Sequence, residues 1–305
     1  MTRLVINGGS GNLAGRIVDL ALEELSAKDI TIVTRSPEKL ADRSAQGVNV
    51  CAGNYNRPDL LEDAYRGADS MLLISSNDIG LRVEQHRNAI EAAKRAGVRH
   101  IVYTSTAGIH PGNPTPSMKD HIVTEKDLYA CGLSFTALRN QTYADVFPEI
   151  ETPIAIKKGH WNQLAGGGRL APVDKQDIAR CALRCMLDYE RHAGAIYEIT
   201  GPDLVSFRDI ATLAADVFNA EIEYVEITPE ELYAHFDGMG VPRCLSPDMK
   251  PHPQFHLWFS DEMVNAHRAF VQGYHAIRSD HVLFITGRQP ISLREVFLAS
   301  KLKMS

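Results

Sequence analysis

The sequence lacks any long hydrophobic run, and apolar stretches such as residues 71–74 are far shorter than the about 20 residues that a membrane-spanning helix needs. It also lacks a surplus of basic residues, since 32 Lys and Arg stand against 38 Asp and Glu and give a net charge of −6. Nucleic-acid-binding proteins usually carry the opposite excess. We therefore expect no membrane insertion and no nucleic-acid partner.

Cysteine is scarce and scattered, with five residues that show none of the close, repeated spacing of a zinc site. His252 and His256 are four residues apart, as metal ligands can be, but Pro253 lies between them and a third ligand is missing. After Arg3 only three apolar residues precede a glycine-rich segment, unlike a secretory signal. We expect reduced thiols, no metal site and a cytoplasmic location.

The first half of the chain alternates between short apolar runs and amphipathic stretches. The runs predict strands at residues 4–7, 30–33, 48–51, 70–74, 100–103 and 134–138. Strand–helix–strand units with short loops pair in parallel through right-handed crossovers. The sequence therefore predicts an α/β fold with a doubly wound parallel (Rossmann) sheet, whose ligands bind at the carboxyl ends of the strands.

The alternation changes after about residue 150, and 305 residues suffice for about two domains. We predict a dinucleotide-binding domain of residues 1–150, to which a helix and a strand in residues 173–200 return. Residues 151–172 and 201–305 are predicted to form a smaller, mostly helical cap on the substrate side. This cap includes an aromatic-rich helix over residues 255–274. Its aromatic cluster is expected to pack a core or an oligomer contact, with the lining of a pocket for an aromatic ligand as the alternative.

A glycine-rich segment lies between the first predicted strand and the first predicted helix. Gly8 and Gly11 permit a tight turn and a close approach of the backbone to a ligand. The helix that follows offers free N–H groups and a positive partial charge. Strand, turn and helix together are the context of a dinucleotide-binding turn, although the spacing Gly8-x-x-Gly11-x-x-Ala14 departs from the commoner G-x-G-x-x-G.

The end of the second predicted strand indicates which dinucleotide binds. An NAD site would place Asp or Glu here to hold the ribose hydroxyls. This chain instead has Arg35 and Ser36, with Lys39 one turn further on. A guanidinium pairs with phosphate through a planar fork, so the sequence predicts NADP(H), with its 2′-phosphate at Arg35.

Small polar residues also follow the next strands of the predicted sheet. Ser75, Ser76 and Asn77 come after the fourth strand, where they can pass and hydrogen-bond a ribose or an adenine. Ser105 ends the fifth strand, where its hydroxyl could hydrogen-bond a substrate oxygen.

Several segments together resemble the NmrA-like group of atypical short-chain dehydrogenases/reductases. They are the glycine-rich turn and residues 34–39, 53–56, 97–103, 121–125, 138–143 and 286–290. The resemblance runs nearly end to end, and within the group it is greatest to reductases of triphenylmethane dyes and of quinones.

The resemblance implies positions for the cofactor. It implies that the pyrophosphate lies on the turn and the helix start, the 2′-phosphate on Arg35, and the ribose along Ser75 and Ser76. The turn residues concerned are Gly8, Ser10, Gly11, Asn12 and Leu13. Asn140 and Tyr143 are implied to lie at the nicotinamide end.

The chain departs from ordinary members of the superfamily in its expected acid. Ordinary members carry Tyr-x-x-x-Lys, whereas this chain has His121-x-x-x-Glu125 in that region. His121 could protonate the product because its ordinary pKa is near neutral, and Glu125 at i+4 could orient it. We take His121, Ser105, Glu125 and Tyr143 as candidate catalytic residues.

Loss of the tyrosine disfavours plain ketone reduction, because a ketone yields an alkoxide that needs a positioned acid. We therefore predict an NADPH-dependent reductase of a small conjugated acceptor, such as a quinone, an enone or a dye, acting as a monomer or homodimer. Two alternatives stay open. One is an NADP(H)-binding redox sensor without turnover, and the other is an isoflavone- or lignan-type reductase, for which loss of His121 should abolish turnover.

Overall fold

Alternating apolar and amphipathic segments give alternating strands and helices in the computed structural model, which describes residues 2–246 and 259–304. The strands are β1 (Leu4–Asn7), β2 (Ile30–Thr34), β3 (Asn49–Ala52), β4 (Ser70–Leu73), β5 (His100–Thr106), β6 (Ser134–Asn140), β7 (His160–Gln163), β8 (Arg169–Leu170), β9 (Ile196–Ile199), β10 (Val205–Ser206) and β11 (Glu223–Glu226). The helices are α1 (Asn12–Glu24), α2 (Ala41–Ala45), α3 (Pro58–Tyr65), α4 (Arg82–Ala96), α5 (Met118–Ala130), α6 (Thr152–Lys158), α7 (Lys175–Leu187), α8 (Tyr189–His192), α9 (Phe207–Phe218), α10 (Pro229–Gly238), α11 (Ser260–Val271), α12 (His281–Thr286) and α13 (Leu293–Met304).

Seven strands form one parallel sheet in the order β3-β2-β1-β4-β5-β6-β9. Parallel neighbours need crossover connections, and helices supply these on both faces of the sheet. The strand order reverses between β1 and β4, which leaves a crevice at the carboxyl ends of the two strands. The predicted doubly wound Rossmann sheet is confirmed.

The central strands are buried on both faces because alternate side chains enter two separate cores. Leu4 and Ile6 of β1 belong to a cluster with side chains of α1 and α7. Val5 belongs to a cluster with side chains of α3, α4 and α5. Apolar burial of this kind stabilises by about 25 cal/mol per Å², so the strand ends stand on a well-packed platform.

Two small sheets lie outside the large one, and the sequence prediction missed both. β7 pairs in parallel with β11, and β8 pairs antiparallel with β10. Their strands have two to four residues and little apolar alternation, as the sequence HWNQ of β7 illustrates. Where a helix over residues 255–274 was predicted, the structure has α11 at Ser260–Val271. Residues 255–258 and the histidines at 252 and 256 lie outside the described residues.

Two boundaries differ from prediction in ways that affect the site. β5 continues to Thr106 and β6 to Asn140, and the two strands pair along their full length. The segment after Ser36 forms a 3₁₀ turn, Pro37–Leu40, and then the short α2. None of the helices that the structure describes is long and apolar enough to be a membrane span.

Candidate active site

The glycine-rich turn after β1 is required by both backbone conformation and packing. Gly8 has a φ of +69°, in the left-handed region that favours glycine. A Cβ on Gly9 would lie 1.8 Å from Cγ2 of Ile32, so the turn can pack on β2 only without a side chain. Gly11 is the N-cap of α1 and provides no side-chain cap. The first N–H groups of α1 are therefore free to bind an anion.

A second glycine brings the neighbouring loop equally close to β2. A Cβ on Gly53 would lie 2.3 Å from Cγ1 of Val33, and the Gly53 N–H donates to the Thr34 carbonyl at 2.9 Å. Tyr55 closes this side, with its hydroxyl donating to the Ile74 carbonyl at 2.9 Å. Gly53 and Tyr55 line the same cleft as the glycine-rich turn.

Arg35 extends from the end of β2 with its charge uncompensated. The side chain is exposed, and it has neither an ion pair nor a hydrogen bond to any residue that the structure describes. Next to it, the Thr34 hydroxyl donates to Ser10 Oγ at 3.4 Å and accepts from the Ser36 N–H at 3.2 Å. A free guanidinium beside a helix N-terminus is suited to a phosphate.

These elements line one cleft of about 420 Å³ at the carboxyl edge of the sheet. Ten of the predicted site residues line it, namely Gly8, Ser10, Gly11, Asn12, Leu13, Arg35, Ser75, Ser76, Asn77 and Tyr143. The lining also includes residues that the sequence reasoning missed, namely Thr34, Gly53, Asn54, Tyr55, Asp78, Gln85 and Lys175. Six predicted residues lie outside the lining, namely Ser36, Lys39, Ser105, His121, Glu125 and Asn140.

The loop after β4 is held open by a polar network. The Ser75 N–H donates to the Thr104 hydroxyl at 2.9 Å, and the Ser76 hydroxyl donates to Gln85 Oε1 at 2.5 Å. The buried Arg82 at the start of α4 donates through Nε to the Ser76 carbonyl at 2.7 Å. Hydrogen bonds within the protein therefore hold Ser75 and Ser76, the predicted ribose-binding residues, in place before a ligand binds.

Arg82 also contacts His121 and determines which of its ring nitrogens carries the proton. Its Nη1 lies 3.0 Å from His121 Nε2, and the other ring nitrogen, Nδ1, lies 2.8 Å from the Tyr103 hydroxyl. Because a guanidinium only donates, Nε2 accepts and Nδ1 carries the proton. Burial, and then the charge of Arg82, lower the pKa of His121 well below 6.5. A buried, neutral imidazole has no second proton to give, so the geometry weighs against His121 as the acid, and its role stays a prediction.

The expected pairing of His121 with Glu125 is wrong. Among the described residues, Glu125 accepts hydrogen bonds from the Ser105 hydroxyl at 2.7 Å and from Arg139 at 2.7 and 3.0 Å. The extension of β5 and β6 explains this difference, because Ser105 and Arg139 stand opposite each other in the ladder and present their donors to Glu125. Arg139 also contacts Glu198 at 3.3 Å, so Glu125 joins α5 to β6 and β9.

Asn140 and Tyr143 follow one another at the end of β6 but differ in their surroundings. Asn140 is buried, and neither polar atom of its side-chain amide has a hydrogen-bond partner among the described residues. Tyr143 lines the cleft beside Lys175, whose Nζ lies 5.1 Å from the centroid of the tyrosine ring. Asp174, just before Lys175, is a residue type typical of a helix N-cap, and in the structure it caps α7 by accepting a 2.6 Å hydrogen bond from the Gln176 N–H. His, Cys, Asp and Glu side chains of the described residues form no cluster of three that could hold a metal.

The uncapped helix, the two close-packed glycines and the free arginine define a dinucleotide-binding protein of the Rossmann class. Residues 8–188 match the NAD(P)H-binding family. The chain belongs to that family, and its predicted place in the NmrA-like group is confirmed.

Proteins of known activity resemble the chain over most of its length. It is 31% identical to quinone oxidoreductase 2 of Escherichia coli over 80% of this chain and 84% of that protein. The NADPH complex of an NADPH-dependent quinone oxidoreductase from E. coli superposes with a TM-score of 0.87 at 26% identity, covering 99% of this chain and 100% of the other. The NADP(H) complex of the triphenylmethane reductase of Citrobacter sp. gives 0.84 at 26% identity, covering 98% and 99%. The predicted assignment as an NADPH-dependent oxidoreductase with NADP(H) as its cofactor is confirmed.

Proposed function

We propose that this protein is an NADPH-dependent reductase that transfers hydride to a small conjugated acceptor, such as a quinone or a cationic dye. The observation that carries the cofactor choice is the free Arg35 at the edge of the cleft, beside the uncapped start of α1. The similarity to a quinone oxidoreductase and to a triphenylmethane reductase supports the class of acceptor. A protein with this role would act in the cytoplasm, as a monomer or homodimer.

Different residues of the cleft would bind different parts of NADPH. The N–H groups of Asn12 and Leu13 would hold the pyrophosphate, Arg35 the 2′-phosphate, and Ser75 and Ser76 a ribose. Asn140, with its unpaired buried amide, would gain hydrogen bonds if the nicotinamide end reached it. When bound, a reduced nicotinamide supplies the hydride.

The candidate catalytic residues offer few acids to the acceptor. His121 is buried, neutral and already hydrogen-bonded on both ring nitrogens. The Ser105 hydroxyl donates its hydrogen bond to Glu125, on the α5 side of the sheet. Tyr143 is the remaining candidate catalytic residue, and it lines the cleft. An acceptor that delocalises charge, in contrast to a plain ketone, suits a site with one weak acid.

The test follows NADPH consumption by its absorbance with three acceptors: a benzoquinone, a cationic triphenylmethane dye and a plain ketone. NADH is run in parallel with each. We expect fast oxidation of NADPH with the quinone or the dye and little with the ketone. Binding of NADPH with no turnover of any acceptor would favour the redox sensor over the reductase. Failure to bind either nucleotide would contradict the assignment of the cleft.

A further inference from the structure

A short piece of backbone pairing brings together two segments that are distant in the sequence. Tyr143 forms a parallel bridge with Val173, supported by N–H donors from Ala144 to the Val173 carbonyl at 2.9 Å and from Val173 to the Thr142 carbonyl at 3.0 Å. Two residues beyond Val173, Lys175 begins α7. The backbone of Lys175 is therefore held near Tyr143, independently of the contacts that the lysine side chain makes.

Asp145 then fixes the ammonium group. Its Oδ2 lies 2.6 Å from Lys175 Nζ, and both side chains are largely buried. The same Nζ lies 5.1 Å from the centroid of the Tyr143 ring. The other carboxylate oxygen of Asp145 is buried and has no partner among the described residues. Phenol, ammonium and carboxylate thus form one cluster at the side of the cleft.

The hydroxyl of Tyr143 is the free functional group of this cluster. It makes no hydrogen bond within residues 2–246 and 259–304, although its carboxylate and ammonium neighbours are paired with each other. Burial, and then the charge of Asp145, raise the pKa of Tyr143 to about 12. The group therefore stays protonated at neutral pH and can donate to a ligand in the cleft.

We propose that Tyr143 protonates the oxyanion that forms when an acceptor such as a quinone is reduced, and that Lys175 and Asp145 are positioning residues for Tyr143. This inference rests on the proposed reductase function. Hydride transfer brings two electrons and one hydrogen to a quinone and leaves an oxyanion. The O–H bond of Tyr143 breaks, an O–H bond forms on that oxyanion, and the resulting phenolate is stabilised by Lys175 until water returns a proton to it.

Charged side chains of three elements surround Tyr143. On the segment of Tyr143 itself, the charged group is Asp145, and at the start of α7 it is Lys175. Asp174 is occupied in capping α7 through the Gln176 N–H. From α1, Arg16 donates to Asn12 and Gln176. Of these surroundings, burial and then the charge of Asp145 raise the pKa of Tyr143.

A cationic triphenylmethane dye provides an internal reference for the test. Hydride addition to its central carbon gives a neutral product and needs no proton, whereas a quinone needs one. For each variant, kcat is measured with both acceptors and expressed as the ratio of quinone to dye. We expect the ratio to fall about 100-fold in Tyr143→Phe, a value at the low end for a lost general acid. We expect about a tenfold fall in Lys175→Gln and recovery in Lys175→Arg, which keeps the cation. Lys303→Gln, which removes an exposed lysine beside Glu149, is the matched control.

A titration tests the cluster without any acceptor. Tyrosine labelled with ¹³C in the ring is followed by NMR against pH, and the Tyr143 signal is assigned with Tyr143→Phe. Asp145→Asn should lower the pKa of Tyr143 by about 1 pH unit or more, since it removes an anion and leaves Lys175 unpaired. Adding Lys175→Gln to that variant should raise it again.

The outcomes separate this inference from the proposed function. If the wild type reduces no acceptor, the proposed function fails and the titration still decides whether the cluster behaves as inferred. If the wild type reduces quinones but the ratio of rates is the same in Tyr143→Phe as in the wild type, the inference is overturned. A Tyr143 titration that ignores both Asp145→Asn and Lys175→Gln would overturn it as well.

Discussion

The sharpest prediction concerns Arg35, whose replacement by Ala should abolish the preference for NADPH over NADH. The side chain is exposed and makes no contact with a charged or hydrogen-bonding partner among the described residues. Its removal therefore breaks nothing in the folded protein. Any effect on the nucleotide must come from the lost interaction with the 2′-phosphate, which NADH does not carry.

The size of the effect follows from the chemistry of that contact. Hydrogen bonds to charged groups contribute about 1.5–3 kcal/mol each, and about 1.4 kcal/mol corresponds to a tenfold change in affinity. Arg35→Ala should then weaken NADPH binding about 10- to 150-fold. Binding of NADH should change less than about twofold. Arg35→Lys, which keeps the charge but loses the planar fork, should fall between the two.

The assay is titration calorimetry of the two nucleotides against the wild type and the variants. Lys39→Ala is the matched control, because Lys39 is also an exposed cation after β2 but does not line the cleft. It should weaken NADPH binding less than about threefold, and added salt should reduce the Arg35 effect more than the NADH affinity. Equal losses for both nucleotides in Arg35→Ala would refute the reasoning, since the arginine would then contact a part that NADPH and NADH share.

Three further predictions address the turn, a buried acid and the histidine. Gly9→Ala should lower the free energy of unfolding by about 1–3 kcal/mol, because the added Cβ overpacks on Ile32. Gly15→Ala is the control and should be neutral or stabilising, because a Cβ at Gly15 meets nothing within 4 Å. Urea denaturation measures both variants, and equal midpoints would contradict the packing argument. Burial raises the pKa of Glu151 from an ordinary 4.5 to about 7, so the folded state binds its proton more tightly than the unfolded state, and this stabilisation is present below pH 4.5 and lost as the pH rises through 7. Glu151→Gln should therefore gain about 1–3 kcal/mol over the wild type at pH 8 and little at pH 4.5, and a gain that does not vary with pH would argue against a titration effect. His121→Gln should lower kcat with a quinone less than about tenfold and leave the pH–rate profile between pH 6 and 8 unchanged in shape; loss of all turnover would instead support the isoflavone- or lignan-type reductase.

The fold was predictable because each local signal agreed with the same architecture. The apolar runs, the amphipathic helices and the glycine-rich turn at Gly8 all indicated a parallel sheet with a cofactor at its carboxyl edge. The small sheets were not predictable in the same way. β7 and β11 pair across about 60 residues of chain, and the sequence HWNQ carries no alternation that would reveal a strand.

The site was predictable where function depends on backbone and charge, and less so where it depends on packing. Arg35 and the turn lie at fixed offsets from their strands, so their places in the cleft follow from the pattern. Arg82 lies at the start of α4 and Lys175 at the start of α7. Nothing in the sequence around them shows that Arg82 reaches His121 or that Lys175 reaches Tyr143. The i+4 spacing of His121 and Glu125 suggested a pair, but it contained no information about Arg139, which competes for the same carboxylate.

The bridge between Tyr143 and Val173 has a consequence for which parts of this chain can vary. The segment from Asp145 to Val173 begins and ends at neighbouring points, because the bridge holds its two ends together. A change of length or sequence in the middle of this segment would therefore leave Tyr143 and Lys175 in their places in the cleft. Residues far apart in the sequence thus keep one local geometry that does not depend on the length of the chain between them.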